Sequence, residues 1–277
     1  MDRLVRDAAG RWLDQRRAAV VVEVTEALGS APREAGTRLL VAATESCGTV
    51  GGGHLEWKAV ARAREMLRAD DHGPRSEQFA LGPSLGQCCG GAVTLAYRRL
   101  DAETLAHWPA SPPRFELQLY GAGHVGRAIA TLLATLDVSV DWIDERQDEF
   151  ASTTALGTPW PAHIRQVCVD AVEGEVRLAA PGAFYLVLTH DHDLDMRITE
   201  AVLRRGDFGY LGLIGSKTKR ERFVRRFEQR GVPAATLARM TCPIGVEGIA
   251  GKSPEILALA VVAQLLAVPG ERTAGPA

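Results

Sequence analysis

Cysteine is scarce in this chain, with five in 277 residues. An odd, low number with no C-x-x-C spacing excludes a secreted disulfide framework and a cysteine-rich zinc site, and fits reduced thiols in a cytosol. Charge of one sign is also missing. The 32 basic and 34 acidic residues leave a net charge of −2, and the halves on either side of Pro113 each nearly balance their own charges. A general nucleic-acid or anionic-membrane binder should be more basic or more asymmetric, so neither is expected as a partner. No hydrophobic run is long. The greasiest, Ile256 to Val268, is broken by Gln264, and a membrane span needs about 20 residues. The N-terminal stretch Met1–Arg17 is charged throughout and lacks a signal peptide's apolar core. These absences predict a soluble, cytoplasmic protein. There is no Ser-His-Asp order and no nucleophile elbow, so hydrolase chemistry has no support.

What is present is the composition of an ordinary globular protein, 46% hydrophobic and 24% charged. The sharpest break is Trp108-Pro109-Ala110-Ser111-Pro112-Pro113, whose prolines can continue neither a helix nor a central strand. It divides an N-terminal domain (1–108) from a second domain (115–270) through a linker (109–114), with a frayed tail at 271–277. The first domain mixes strand and helix signals. Strand-like Ala18–Glu26 and Thr37–Ala43 flank a loop, Gly29–Gly36. A helix is expected from His54 to about Arg68, with strands at Ser76–Leu81 and Ala92–Arg98. After the linker, strands and helices alternate. Strands are expected at Phe115–Tyr120, Val138–Ile143, Gln166–Val169, Phe184–Thr189 and Tyr210–Ile214, and a helix at His124–Leu136. The last helix begins with Ser253 as N-cap and Pro254 at its first position. The fold class is therefore α/β, a Rossmann-like parallel-sheet domain preceded by a smaller α+β domain.

Four segments carry chemistry. Gly121-Ala122-Gly123-His124-Val125-Gly126 is G-x-G-x-x-G between a strand and a helix, and Asp144 ends the next strand. Glycines there let the backbone approach a phosphate at a helix N-terminus, and Asp144 is placed to accept from a ribose hydroxyl. NAD(P) or another nucleotide is the ligand class this pattern suggests, and nearby Arg146 leaves NAD versus NADP open. The loop His190-Asp191-His192-Asp193-Leu194-Asp195 has ligand types for a divalent metal, through His190 and His192. The bland alternative is that Asp193 or Asp195 caps the following helix. The helix starting at Ser216 carries Lys217, Lys219, Arg220, Arg222, Arg225, Arg226 and Arg230. Most of these read as a solvated face, but Ser216 and Lys217 at the helix start could hold an anion. Finally, Gln87-Cys88-Cys89-Gly90-Gly91 sets adjacent thiols in a glycine turn, where neighbouring N–H groups can stabilise a thiolate. Cys47 and Cys168 read as small core residues, and Cys242 is ambiguous.

Assembled in order, these segments resemble the XdhC/CoxI family of xanthine dehydrogenase accessory proteins. The resemblance rests on GSAPREAGTRLLV (Gly29–Val41), GTVGGGHLEW (Gly48–Trp57), LGPSLGQCCGG (Leu81–Gly91), LYGAGHVG (Leu119–Gly126), THDHDLD (Thr189–Asp195), GLIGSKTKR (Gly212–Arg220) and CPIGVEGIAGKSPEI (Cys242–Ile256). It implies a chaperone, not an enzyme, that binds the molybdenum cofactor (molybdopterin), protects it during sulfuration and delivers it to xanthine dehydrogenase. The implied partners are the cofactor-bearing subunit of that enzyme and a cysteine desulfurase, with a homodimer expected on base rates. In this light Gly51, Gly52 and Gly53 would supply backbone donors, Cys89 or Cys88 a thiolate near molybdenum, and Gly90 and Gly91 close approach. His54 and Glu56 point from the adjacent helix turn. Similar CoxI-type members often have cysteine where this chain has His54, so no thiol role carries over there. The alternative is an NAD(P)-dependent oxidoreductase with His190 or His192 as acid/base.

Overall fold

The computed structural model describes residues 2–81, 90–109, 112–155 and 157–268. The chain forms two compact units, Met1–Pro112 and Pro113–Ala277. No helix among the described residues is long and apolar enough to cross a membrane.

The N-terminal unit is built on β1 (Ala19–Leu28), whose opening Ala-Val-Val-Val is apolar and buried at consecutive positions. Such a strand needs cover on both faces. On one face Val20, Val22 and Val24 pack with Leu55, Ala59, Ala63 and Met66 of α2 (Gly53–Arg68). On the other, Ala19 and Val21 pack with Val5, Ala8, Ala9 and Trp12 of α1 (Asp2–Asp14). The antiparallel sheet has the order β3-β2-β1-β5-β4, with β2 at Arg38–Ala42, β3 at Ser46–Gly48, β4 at Arg75–Ala80 and β5 at Ala92–Arg99. The pairing of β1 with β5 shifts register between Val24 and Glu26, as at a β-bulge. A short helix, α3 (Ala102–Ala106), starts from Asp101, whose side chain accepts from the Thr104 N–H at 2.7 Å.

The second unit is a wholly parallel six-stranded sheet in the order β11-β10-β9-β6-β7-β8. Its strands are β6 (Glu116–Tyr120), β7 (Ser139–Asp144), β8 (Ile164–Cys168), β9 (Phe184–Val187), β10 (Tyr210–Leu213) and β11 (Met240–Thr241). The chain winds outward one way from β6 and then the other way from β9, so the topological switch point lies between those two strands. One face is covered by α4 (His124–Leu133) and α8 (Pro254–Ala267), whose Ile129, Leu133, Ala258, Val261 and Leu265 are buried together. The other is covered by α5 (His192–Arg205), α6 (Lys217–Gln229), α7 (Ala234–Ala238) and a 3-10 stretch at Val172–Leu178. The expected strands and helices are all present. The helix after the glycine loop stops at Leu133 rather than Leu136, and β9 and β10 end two residues and one residue earlier than their apolar runs.

Cys168 is exposed, not a core residue, because β8 is the edge strand. Cys47 is half-buried, and burial pushes its thiol up against the opposing effect of Arg11.

Candidate functional site

In the N-terminal unit three glycine-bearing motifs converge on the turn after β1. A Cβ on Gly91 would lie 2.2 Å from the Leu28 carbonyl oxygen and 2.7 Å from that of Ser30, so only glycine lets this backbone lie flush against the turn. A Cβ on Gly51 (φ +133°) would lie 2.5 Å from Pro32 Cγ in the same loop. The Leu81 N–H donates to the Gly91 carbonyl at 2.7 Å, which ties together the described chain on either side of residues 82–89. Cys88 and Cys89 themselves lie outside the described residues; Gly90 is exposed beside them in sequence.

The glycine loop before α2 is not the open donor set that its sequence suggests. The Glu56 carboxylate turns back onto it, and Oε2 accepts from Thr49 Oγ1, from the Val50 N–H at 3.2 Å and from the Gly52 N–H at 3.1 Å. The Gly51 N–H donates to Thr49 Oγ1 at 3.1 Å. Gly51 and Gly52 therefore spend their N–H groups inside the loop, and Glu56 holds the loop rather than facing a ligand with that oxygen. His54 and Trp57, one turn apart on α2, are both exposed and stacked, with ring centroids 5.4 Å apart and planes 28° apart.

In the C-terminal unit the turn Gly121–Gly126 joins β6 to α4 as expected. A Cβ on Gly126 would fall 1.9 Å from the Gly121 carbonyl oxygen, so this glycine is demanded by close strand–helix packing. Gly123 has nothing within 4 Å of its would-be Cβ, the open space a phosphate would need.

Asp144, however, does not await a ribose. Its Oδ2 accepts from the Ala122 N–H at 2.7 Å and from Arg146 Nη2 at 3.0 Å. Its Oδ1 accepts from the Arg146 N–H at 2.9 Å and from Arg146 Nε at 3.0 Å. Four donors occupy the four lone-pair directions of the carboxylate. Burial alone would raise its pKa, but the bonds from the Arg146 side chain and from the Ala122 and Arg146 N–H groups outweigh it and hold the carboxyl below its usual range. The cleft between Tyr120, Ile143, Asp144, Glu145, Thr189 and His190 has no room for a water molecule. The loop backbone suits a phosphate, while the carboxylate expected to face a ribose is taken up by the Ala122 and Arg146 donors.

The acidic histidine loop behaves as a cap. The N-cap of α5 is Asp191, not Asp193 or Asp195: its Oδ1 accepts from the Asp193 and Leu194 N–H groups at 2.7 and 2.8 Å. Those two bonds hold the exposed Asp191 carboxyl below its ordinary value. His190 and His192 are exposed, with His190 Nε2 3.7 Å from Glu145 Oε1. Among the described residues no three His, Cys, Asp or Glu side chains group so as to hold a metal.

Asp195 does something the sequence pattern does not announce. It is 1% exposed and accepts from Lys219 Nζ at 2.6 Å, from the Thr189 N–H at 3.0 Å and from Thr189 Oγ1 at 2.7 Å. Lys219 Nζ also donates to the Ile214 carbonyl at 2.9 Å. Ser216 caps α6 by accepting from the Lys219 N–H at 3.2 Å, and buried Cys242 lies with Sγ 3.8 Å from the Ser216 carbonyl. Burial pushes the Cys242 thiol up, against Lys219 and Arg220, which disfavours its thiolate form. The loops after β9, β10 and β11 are thus tied together at the carboxyl edge of the sheet. The only signals for this are a lysine inside a basic run and an aspartate inside an acidic one.

The topology and the glycine turn define an α/β protein with a Rossmann-type unit behind a smaller antiparallel unit. Residues 117–265 match the XdhC Rossmann domain and residues 12–79 the XdhC and CoxI family. The chain belongs to the XdhC/CoxI family. It is 27% identical over 280 residues to the uncharacterized protein YqeB of Escherichia coli, covering 96% of this chain but 46% of that protein, so it spans about half the length of this curated relative. It also superposes on a crystal structure titled as a xanthine dehydrogenase from Bacillus halodurans, with a TM-score of 0.74 at 18% identity, over 98% of this chain and 97% of the other. That likeness is one of fold.

Proposed function

We propose that this protein is an accessory protein of a xanthine dehydrogenase, which holds the molybdenum cofactor, shields it while its terminal sulfur is installed, and passes it to the enzyme's cofactor-bearing subunit. Family membership supports the accessory role. The observation that carries the finer reading is the convergence of the Gly29–Gly36 loop, Gly51 and Gly91 at one edge of the N-terminal unit. Backbone without side chains gathers there, next to the segment that contains Cys88 and Cys89. When bound, the cofactor would supply its own molybdenum chemistry, and the chain has only to hold and release it. Gly90 and Gly53 offer close backbone approach, Gly91 seats the segment against the turn after β1, and Cys89 offers a soft thiolate for a thiophilic metal. The sulfur donor is a cysteine desulfurase, and the working form is a cytoplasmic homodimer.

The test is to load the protein with molybdenum cofactor released from a donor enzyme, remove unbound material by gel filtration, and measure the pterin retained and the activity restored to cofactor-free xanthine dehydrogenase. Retention and delivery are expected from the native chain, with Cys89→Ala retaining less at unchanged fold. An absence of retention, with tight binding and turnover of NAD(P)H instead, would make the protein an oxidoreductase. The saturated carboxylate of Asp144 argues against that second reading.

A further inference from the structure

An exposed tryptophan is uncommon, because burying its indole removes more apolar area from water than almost any other side chain can. Trp57 is 65% exposed and is the most exposed tryptophan among the large apolar side chains left outside the core. It stands on the first turns of α2, directly after the glycine loop. The helix does not need it: Leu55, Ala59, Ala63 and Met66 fill the buried face, and Trp57 points away from them.

Its surroundings hold it ready. His54 lies at i−3, where helical neighbours meet, and its ring stacks on the indole at 5.4 Å. The helix start beneath both rings is clamped by Glu56, which ties Thr49, Val50 and Gly52 to the first turn. Gly52 itself (φ +74°) has nothing within 4 Å of its would-be Cβ. A flat aromatic surface with one partner ring therefore stands exposed on the first turns of the helix that follows this glycine loop.

We infer that Trp57, steadied by His54, is a stacking platform for a planar nitrogen heterocycle. Given the function proposed above, on which this identification rests, that heterocycle is the flat pyrimidine end of the pterin. Indole stacking on a heteroaromatic face is insensitive to the substituents carried at the far end of the ligand. The platform would thus hold the cofactor equally before and after a change at its metal, which a carrier requires.

The experiment measures retention of molybdenum cofactor, read as pterin fluorescence after oxidation, by the native chain, Trp57→Ala and Trp57→Phe, and in parallel the affinity of each for a metal-free pterin. Because Trp57 is exposed, all three should share one thermal midpoint. Trp57→Ala is expected to bind both probes about tenfold more weakly, and Trp57→Phe to recover most of the loss. Equal retention by Trp57→Ala would overturn the platform and leave the accessory function standing. A native chain that binds the metal-free pterin through Trp57 but retains no molybdenum cofactor would overturn the accessory function and leave the platform standing. Unchanged pterin affinity with lost docking to xanthine dehydrogenase would make Trp57 a protein contact and overturn the platform.

Discussion

Lys219 shows how much a single residue's position can differ from its composition. Along the sequence it is one of seven cations from Lys217 to Arg230; in the fold its side chain is 11% exposed and its ammonium meets the carboxylate of Asp195. An ion pair this far from water is weak support for stability compared with a well-packed apolar pair, but removing one partner strands the other charge. Lys219→Met should therefore destabilise the protein by about 3 kcal/mol. Asp195→Asn in the Lys219→Met background should return part of that loss, because the amide needs no counter-ion and still accepts from Thr189. Urea unfolding of the single and double variants checks both figures. Equal stability of Lys219→Met and the native chain would mean that the pair is hydrated in solution. The residue-scale legibility of the site follows the same line. The glycines of the two loops were readable because a turn and a close approach leave few other choices. That Glu56 would consume the Gly52 N–H, or Arg146 the Asp144 carboxylate, was not, since either side chain had two rotamer directions available and packing chose between them.

At the scale of elements, hydrophobic periodicity exposed most of the fold and failed where charge hid it. The stretch Met1–Arg17 reads first as charged, but its Val5, Ala8, Ala9 and Trp12 are spaced i, i+3, i+4, i+7, and α1 places them on one stripe. The consecutive valines of β1 already required a second cover, and α1 is that cover. Trp12→Ala should cost about 3–4 kcal/mol, since the indole is 7% exposed and packs over β1 and β2; thermal unfolding of the variant measures it. The strand–helix turn at α4 separates two kinds of glycine. Gly126→Ala drives a methyl into the Gly121 carbonyl 1.9 Å away, and should cost about 3 kcal/mol or prevent folding. Gly123→Ala meets nothing and should cost less than about 1 kcal/mol, because the backbone there is already extended at φ −64°. Comparable losses from both substitutions would show that the turn is reserved for a ligand-free packing contact at Gly123 as well.

The whole molecule carries a pH signature that no single site does. All four tyrosines, Tyr97, Tyr120, Tyr185 and Tyr210, are buried. Burial pushes each phenol up from its ordinary value near 10, Tyr210 to about 12 and Tyr97 and Tyr120 beyond. Tyr120 donates to Gln118 Oε1 and Tyr210 to Gln264 Oε1, each at 2.7 Å, and these bonds are lost with the proton. The unfolded chain releases its phenolic protons near pH 10, while the folded chain keeps them. Above pH 10 the unfolded state binds fewer protons, so stability is intact below that value and falls as pH rises toward the folded values. A phenol that stays fully protonated in the folded chain removes about 1.4 kcal/mol per pH unit in that window. The C-terminal unit, which holds three of the four, should lose stability more steeply than the N-terminal unit, which holds only Tyr97. In an alkaline titration, tyrosinate absorbance should therefore rise together with the loss of helical circular dichroism above pH 10, with the C-terminal unit going first. A phenol that titrates near pH 10 with the helix signal intact would show that its side chain reaches water in the folded protein.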